Sequence, residues 1–129
     1  MKSILLVEND RNIFNLLHDS LQKNKFSRVT PAKNGFEALE LIKAENFDLV
    51  LISLELPEMN GFMTTEKIRY HQSCKEIPII LMGPFELWDD RRKSIEAGAD
   101  EFLIKPLRIG NINVDEFVNK IKTIASKKL

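Results

Sequence analysis

Three short apolar runs end in residues that can do chemistry. Ile4-Leu5-Leu6-Val7 gives way to Glu8-Asn9-Asp10, Leu49-Val50-Leu51-Ile52 to Ser53, and Phe102-Leu103-Ile104 to Lys105-Pro106. A serine hydroxyl attacks only when a general base activates it. Neither histidine suits that role: His18 falls on one predicted helix and His71 at the end of another, both away from the strand ends. Asp48 opens the run that Ser53 closes, some 16 Å away at ~3.3 Å per residue. Glu55 is nearer, but its side chain is expected to point into solvent. A partly buried lysine without a partner is costly, so Lys105 calls for a structural ion pair, with Glu8 as the expected neighbour. A retained anion site is the alternative.

The elements that must position these groups follow from hydrophobic periodicity. Ser3–Val7 is predicted as a buried strand. From Asn9 to about Lys23, Ile13, Leu16, Leu17 and Leu21 form the stripe of an amphipathic helix. Ser27–Ala32 is a weaker strand, placed near a sheet edge because Pro31 lacks a ladder donor. Asn34-Gly35 is a turn, followed by a helix over 36–45 with Ala38, Leu41 and Ile42 inward. Leu49–Ser53 is apolar throughout, as suits a parallel strand covered on both faces. Gly61 to about His71 is the third helix, with Phe62, Thr65 and Ile68 inward. Ile79–Met82 is the fourth strand, broken by Gly83-Pro84. Phe85 to Ala97 is the fourth helix, which Gly98 ends with a left-handed cap. Glu101–Ile104 is the fifth strand. Val114 to Ser126 is the last helix, with Asn113 and Glu116 spaced as a capping box and Phe117, Ile121 and Ile124 inward.

Strict alternation of strand and helix predicts a parallel sheet with right-handed crossovers and helices on both faces. Five such units over residues 1–129 match a doubly wound α/β domain of flavodoxin-like order 2-1-3-4-5. Ligands in that topology sit where the strand order switches, at the carboxyl ends of strands one and three. Glu8, Asn9, Asp10, Ser53, Gly83 and Lys105 are thereby gathered around one pocket.

With the segments Leu56-Pro57-Glu58-Met59-Asn60-Gly61, Ile77-Pro78-Ile79-Ile80-Leu81 and Ala97-Gly98-Ala99-Asp100, these runs make the whole chain resemble the receiver domain of bacterial response regulators, the CheY-like family. The resemblance implies a phosphoacceptor aspartate at the end of the third strand, where this chain has Ser53. It implies two acidic residues that hold magnesium at the positions of Glu8 and Asn9, plus the backbone carbonyl of Glu55. Asp10 lies one place further on and is expected to cap the first helix. It implies a phosphate-reading hydroxyl where Gly83 stands, a lysine at Lys105 and a cis bond before Pro106. Phe102 matches the family's aromatic switch residue. Without its hydroxyl partner at Gly83 it is expected to be a locked packing residue. Magnesium favours carboxylates and phosphate oxygens, so Asn9 and Ser53 predict weak or absent metal binding, and no cofactor.

Composition points the same way. The chain has 129 residues, 43% hydrophobic and 29% charged, as a soluble globular domain should. Its 19 basic and 19 acidic side chains balance, so neither nucleic acid nor an anionic membrane is an expected partner. One cysteine, Cys74, excludes an internal disulfide and fits a reducing compartment. Apolar runs are too short for a signal segment or a membrane span, and a cytoplasmic location is expected.

The function expected is that of a pseudo-receiver, a two-component signalling module that acts by protein contact without phosphorylation. Family members often meet partners through helix four, strand five and helix five. Here that face would carry Trp88, Arg91, Arg92, Phe102 and an apolar 107–113 loop with Leu107, Ile109 and Ile112. The partner would be a sensor kinase, an output protein or a second copy. Trp88 reads equally as a binding residue and as a cover for the core edge. The loop reads as buried against helix five or as a partner surface. The alternatives are a working phosphoacceptor with a displaced acid, and a sensor that binds a small ligand or anion in the vacated pocket.

Overall fold

Alternation along each apolar run sends successive side chains to opposite faces, and the structure uses both faces. The structure, a computed structural model, describes residues 3–24, 26, 28–71, 74, 76–84, 88–105 and 114–128, the side chains of 127 and 128 excepted. The strands are β1 (Ser3–Val7), β2 (Arg28–Ala32), β3 (Leu49–Ser53), β4 (Ile79–Gly83) and β5 (Glu101–Ile104). They form one sheet of order β2-β1-β3-β4-β5, parallel at every pairing. Every residue of β3 and β4 is buried. The fold is therefore the flavodoxin-like three-layer arrangement expected, with β2 at an edge.

Helices α1 (Arg11–Lys23), α2 (Gly35–Ala44), α3 (Gly61–Tyr70), α4 (Asp90–Ala97) and α5 (Val114–Lys128) connect or follow the strands. Ile4, Leu6, Leu51 and Met82 meet Leu17, Leu21, Phe117 and Ile121 in the layer under α1 and α5. Leu5, Val7, Val50 and Leu81 meet Ala38, Ile42 and Ile68 in the layer under α2 and α3. Among the described residues, no helix is long and apolar enough to cross a membrane.

Three helices begin at an Asx residue whose side chain satisfies backbone donors otherwise left open. Asp10 accepts from the Asn12 and Ile13 amides, Asn34 from Glu37 and Asn60 from Met63. The first of these moves the start of α1 from Asn9 to Arg11. In the second, Gly35 is already helical and not a turn residue.

The largest departure is at α4, which begins at Asp90 and not at Phe85. Residues 85–87 lie outside the described residues, Trp88 and Asp89 form a turn, and Asp89 is left-handed with φ 76°. Its carboxylate does not cap the helix. The Arg92 guanidinium takes it instead, with Nε and Nη2 donating to the two carboxylate oxygens at 3.1 and 2.8 Å. That hydrogen bond holds the Asp89 carboxyl below its usual range and raises Arg92. Smaller differences lengthen β4 to Gly83 and add Thr64 to the buried face of α3. The expected strand residue Ser27, the Asn113 cap, Pro106 and the 107–113 loop lie outside the described residues.

One guanidinium not singled out from the sequence ties the amino-terminal edges of the last two strands together. Arg69, near the end of α3, donates from Nε to the Gly98 carbonyl (2.7 Å) and from Nη1 to those of Cys74 (3.0 Å) and Ile77 (2.6 Å). Its Nη2 meets Asp100 at 3.1 Å, and the same Asp100 oxygen accepts from the Ile79 amide at 2.8 Å. Gly98 has φ 111° and closes α4 as expected.

Gly61 opens α3 directly against the end of β3. A Cβ there would lie 2.5 Å from the Ser53 carbonyl oxygen and 2.9 Å from the Leu54 Cα, both backbone atoms that cannot swing aside. Gly61→Ala should therefore destabilise the protein by about 1–3 kcal/mol through overpacking. Chemical denaturation measures this, and a loss under about 0.5 kcal/mol, the level of an ordinary surface change, would mean that the end of β3 can yield.

Candidate functional site

Parallel strands present their carboxyl ends on one edge of the sheet, and the chemically capable residues meet there. Glu8 follows β1, Ser53 ends β3, Gly83 ends β4 and Lys105 follows β5. The backbone continues the sheet locally: the Lys105 amide donates to the Gly83 carbonyl at 2.8 Å, and the Leu54 amide to that of Met82 at 2.8 Å. Gly83 is buried and places no side chain between β3 and β5.

Lys105 is the centre of the site. Its Nζ donates to Glu8 Oε1 at 3.0 Å and to Ser53 Oγ at 3.0 Å. All three residues are nearly sealed from solvent, at 3%, 4% and 0% exposure respectively. The ion pair expected between Glu8 and Lys105 is thus present, and it is buried on both sides. The second Glu8 oxygen, Oε2, accepts from the Asp10 amide at 3.0 Å. Glu8 is therefore engaged through both oxygens by groups of the protein itself. The bond to Ser53 was not expected from the sequence. The available signal was a hydroxyl and a lysine at the ends of strands two places apart.

The other expected pocket residues are less enclosed. Asn9 and Asp10 are exposed, and the Asp10 carboxylate caps α1. Glu55 is exposed, as expected. Phe102 is completely buried, with the Arg91 guanidinium 5.9 Å from its ring centroid. His18 stacks on Phe14 in α1, and His71 caps the end of α3, so neither lies beside Ser53.

Of the residues expected on a partner face, Trp88 is 89% exposed, which overturns its reading as a cover for the core edge. A turn preceding α4, and not the helix itself, carries it outward. Arg91 bonds Glu101 at 2.5 Å, and Arg92 bonds both Asp89 and Glu96. Ile95 and Ile104, about half exposed on α4 and β5, were not picked out from the sequence. Ile109 lies outside the described residues.

Known proteins share this architecture. The family described as response regulator receiver domain matches residues 4–115. The polar-differentiation response regulator DivK of Brucella anthropi is 27% identical over 122 residues, which cover 95% of this chain and 94% of DivK. The transcriptional regulatory protein SrrA of Staphylococcus aureus is 36% identical over 103 residues, 80% of this chain but only 41% of SrrA. Among solved structures, the Thermotoga maritima response regulator TrrA, in complex with Mg2+-BeF, matches at 33% identity and a TM-score of 0.81, covering 96% of this chain and 99% of that one. A CheY-like receiver domain protein of Methanospirillum hungatei matches at 26% identity and 0.85, covering 99% and 96%. With its sheet order and its match along most of its length, this chain belongs to the response regulator receiver family.

Proposed function

We propose that this receiver is a pseudo-receiver, a two-component signalling module that works through protein contact and takes no phosphoryl group. The observation that carries this reading is the closed network at the end of β3. The Ser53 hydroxyl stands where the family has its phosphoacceptor carboxylate, and it accepts a hydrogen bond from Lys105. A hydroxyl nucleophile needs a base, and Lys105 acts here as a donor to both Ser53 and Glu8. A phosphoserine is also a stable ester, unsuited to a timed switch.

The donor set does not suit magnesium. That ion prefers octahedral oxygen coordination with carboxylates and phosphate. Glu8 is already engaged through both oxygens, Asn9 offers a neutral amide and Ser53 a neutral hydroxyl. We expect no cofactor and no enzymatic turnover.

Output is then independent of phosphorylation, because a ligand shifts an equilibrium only by its differential affinity for two states and no phosphoryl group is bound. Trp88, Ile95 and Ile104 expose apolar surface on the α4–β5 side, next to Arg91 and Arg92. Tryptophan and arginine dominate binding hot spots. A sensor kinase, an output protein or a second copy of the chain would meet this face.

Incubation with acetyl phosphate and magnesium should add no phosphate, as measured by intact mass. A stoichiometric adduct removed by hydroxylamine would sink the reading. Glu8→Gln or Lys105→Met alone should cost about 3–5 kcal/mol, because each strands a buried charge. The double variant should lose less than the sum, and strict additivity in denaturation would show that the pair carries no coupling. Trp88→Glu should weaken association with the partner or with a second copy while leaving thermal unfolding unchanged. Beryllofluoride should alter neither association nor oligomeric state in sedimentation, and a change would mean that the pocket still switches.

A further inference from the structure

Beside the buried network, on the β1–β2 side, lies a cleft of about 330 Å³. Glu8 and Asn9 contribute from the end of β1, Arg11, Phe14 and Asn15 from α1, and Lys33 from the residue after β2. Among the described lining residues Glu8 supplies the one carboxylate, and Lys105 and the Asp10 amide already occupy it. The neighbouring Asp10 carboxylate is engaged by the first amides of α1. Arg11 and Lys33 are exposed, and the Glu37 carboxylate beside Lys33 accepts from the Lys33 backbone amide at 2.8 Å. Two cations from separate elements therefore line a cleft whose described carboxylate is already engaged by Lys105.

The remaining walls limit what such an anion can be. Phe14 is half-buried and held by stacking on His18, with centroids 5.6 Å apart and planes inclined by 29°. It offers an aromatic surface fixed from behind. Asn9 and Asn15 offer amides that both donate and accept. The volume lies at the lower end of small-molecule sites, about 300–1,000 Å³. It suits one ring system with one charged substituent and is small for a dinucleotide.

We infer that this cleft binds a small aromatic anion of the mononucleotide class, with its phosphate between Arg11 and Lys33, its ring against Phe14 and its polar edge on Asn9 and Asn15. The inference rests on the reading above that no metal occupies the neighbouring pocket, since bound magnesium would draw the phosphate toward Glu8. The ligand would make the module a sensor without any covalent step.

The test is a titration of the nitrogen-15-labelled protein, in separate series, with adenosine monophosphate, uridine monophosphate, adenosine, inorganic phosphate and magnesium chloride. At least one nucleotide should saturate and move the amide signals of Phe14, Asn15 and Lys33. Adenosine and phosphate should each bind at least about ten-fold more weakly, because each lacks one half of the recognition, and ten-fold corresponds to about 1.4 kcal/mol. Arg11→Glu and Lys33→Glu, both at exposed positions, should each weaken the nucleotide at least about ten-fold with an unchanged circular dichroism melt. Failure of both nucleotides to saturate, shifts mapped to another surface, or phosphate binding as tightly as the nucleotide would overturn the inference. Saturable magnesium binding at Glu8 would instead overturn the metal-free reading, and the nucleotide series would still decide the cleft.

Discussion

The ammonium of Lys105 has to be satisfied inside the protein, and the carboxyl edge of the sheet is arranged around that requirement. Neighbouring strands lie about 4.8 Å apart, so β5 and β1 are separated by three spacings, about 14 Å. Lys105 and Glu8 bridge the gap by extending toward each other above β3, and Ser53 accepts at the point where they meet. Gly83 lies under this path at the end of β4 with no side chain to obstruct it. Gly61 fixes the floor, because α3 begins in contact with the Ser53 carbonyl. A larger residue at either glycine or an apolar one at Ser53 would disturb the same small volume.

The closed network also sets the electrostatic character of its surroundings. A receiver with several carboxylates at this edge attracts a cation, which balances their repulsion. Here one carboxylate is matched by one ammonium and a backbone amide. Arg11 and Lys33 line the cleft beside it. The backbone topology is that of the family.

Much of this was legible in the sequence because it rests on short-range rules. Short apolar runs bounded by polar residues marked most of the strands, and alternation with helical segments their order. Asp10 declared itself as a cap by type and place, and the Lys105–Glu8 pair followed from the cost of burying an ammonium alone. What could not be read depends on competition between partners. Asp89 is of a type that caps helices, but its carboxylate is held by the Arg92 guanidinium and not by the first amides of α4. Arg69 was not singled out, because the three carbonyls and Asp100 that converge on it come from segments up to 31 positions away. The Ser53–Lys105 bond required knowing that a side chain from β5 could pass over β4.

The two outer strands limit how copies of this protein can stick together. An edge strand with open backbone groups invites another chain to extend the sheet, the route to fibrous aggregation. On one side, β2 carries the exposed Pro31, which has no amide to offer, and Arg28 is held in an ion pair with Glu45. On the other side, β5 is four residues long and begins with Glu101, a charge fixed by Arg91. Neither rim is a template for strand addition. Contacts between copies are thereby left to side chains and not to added strands.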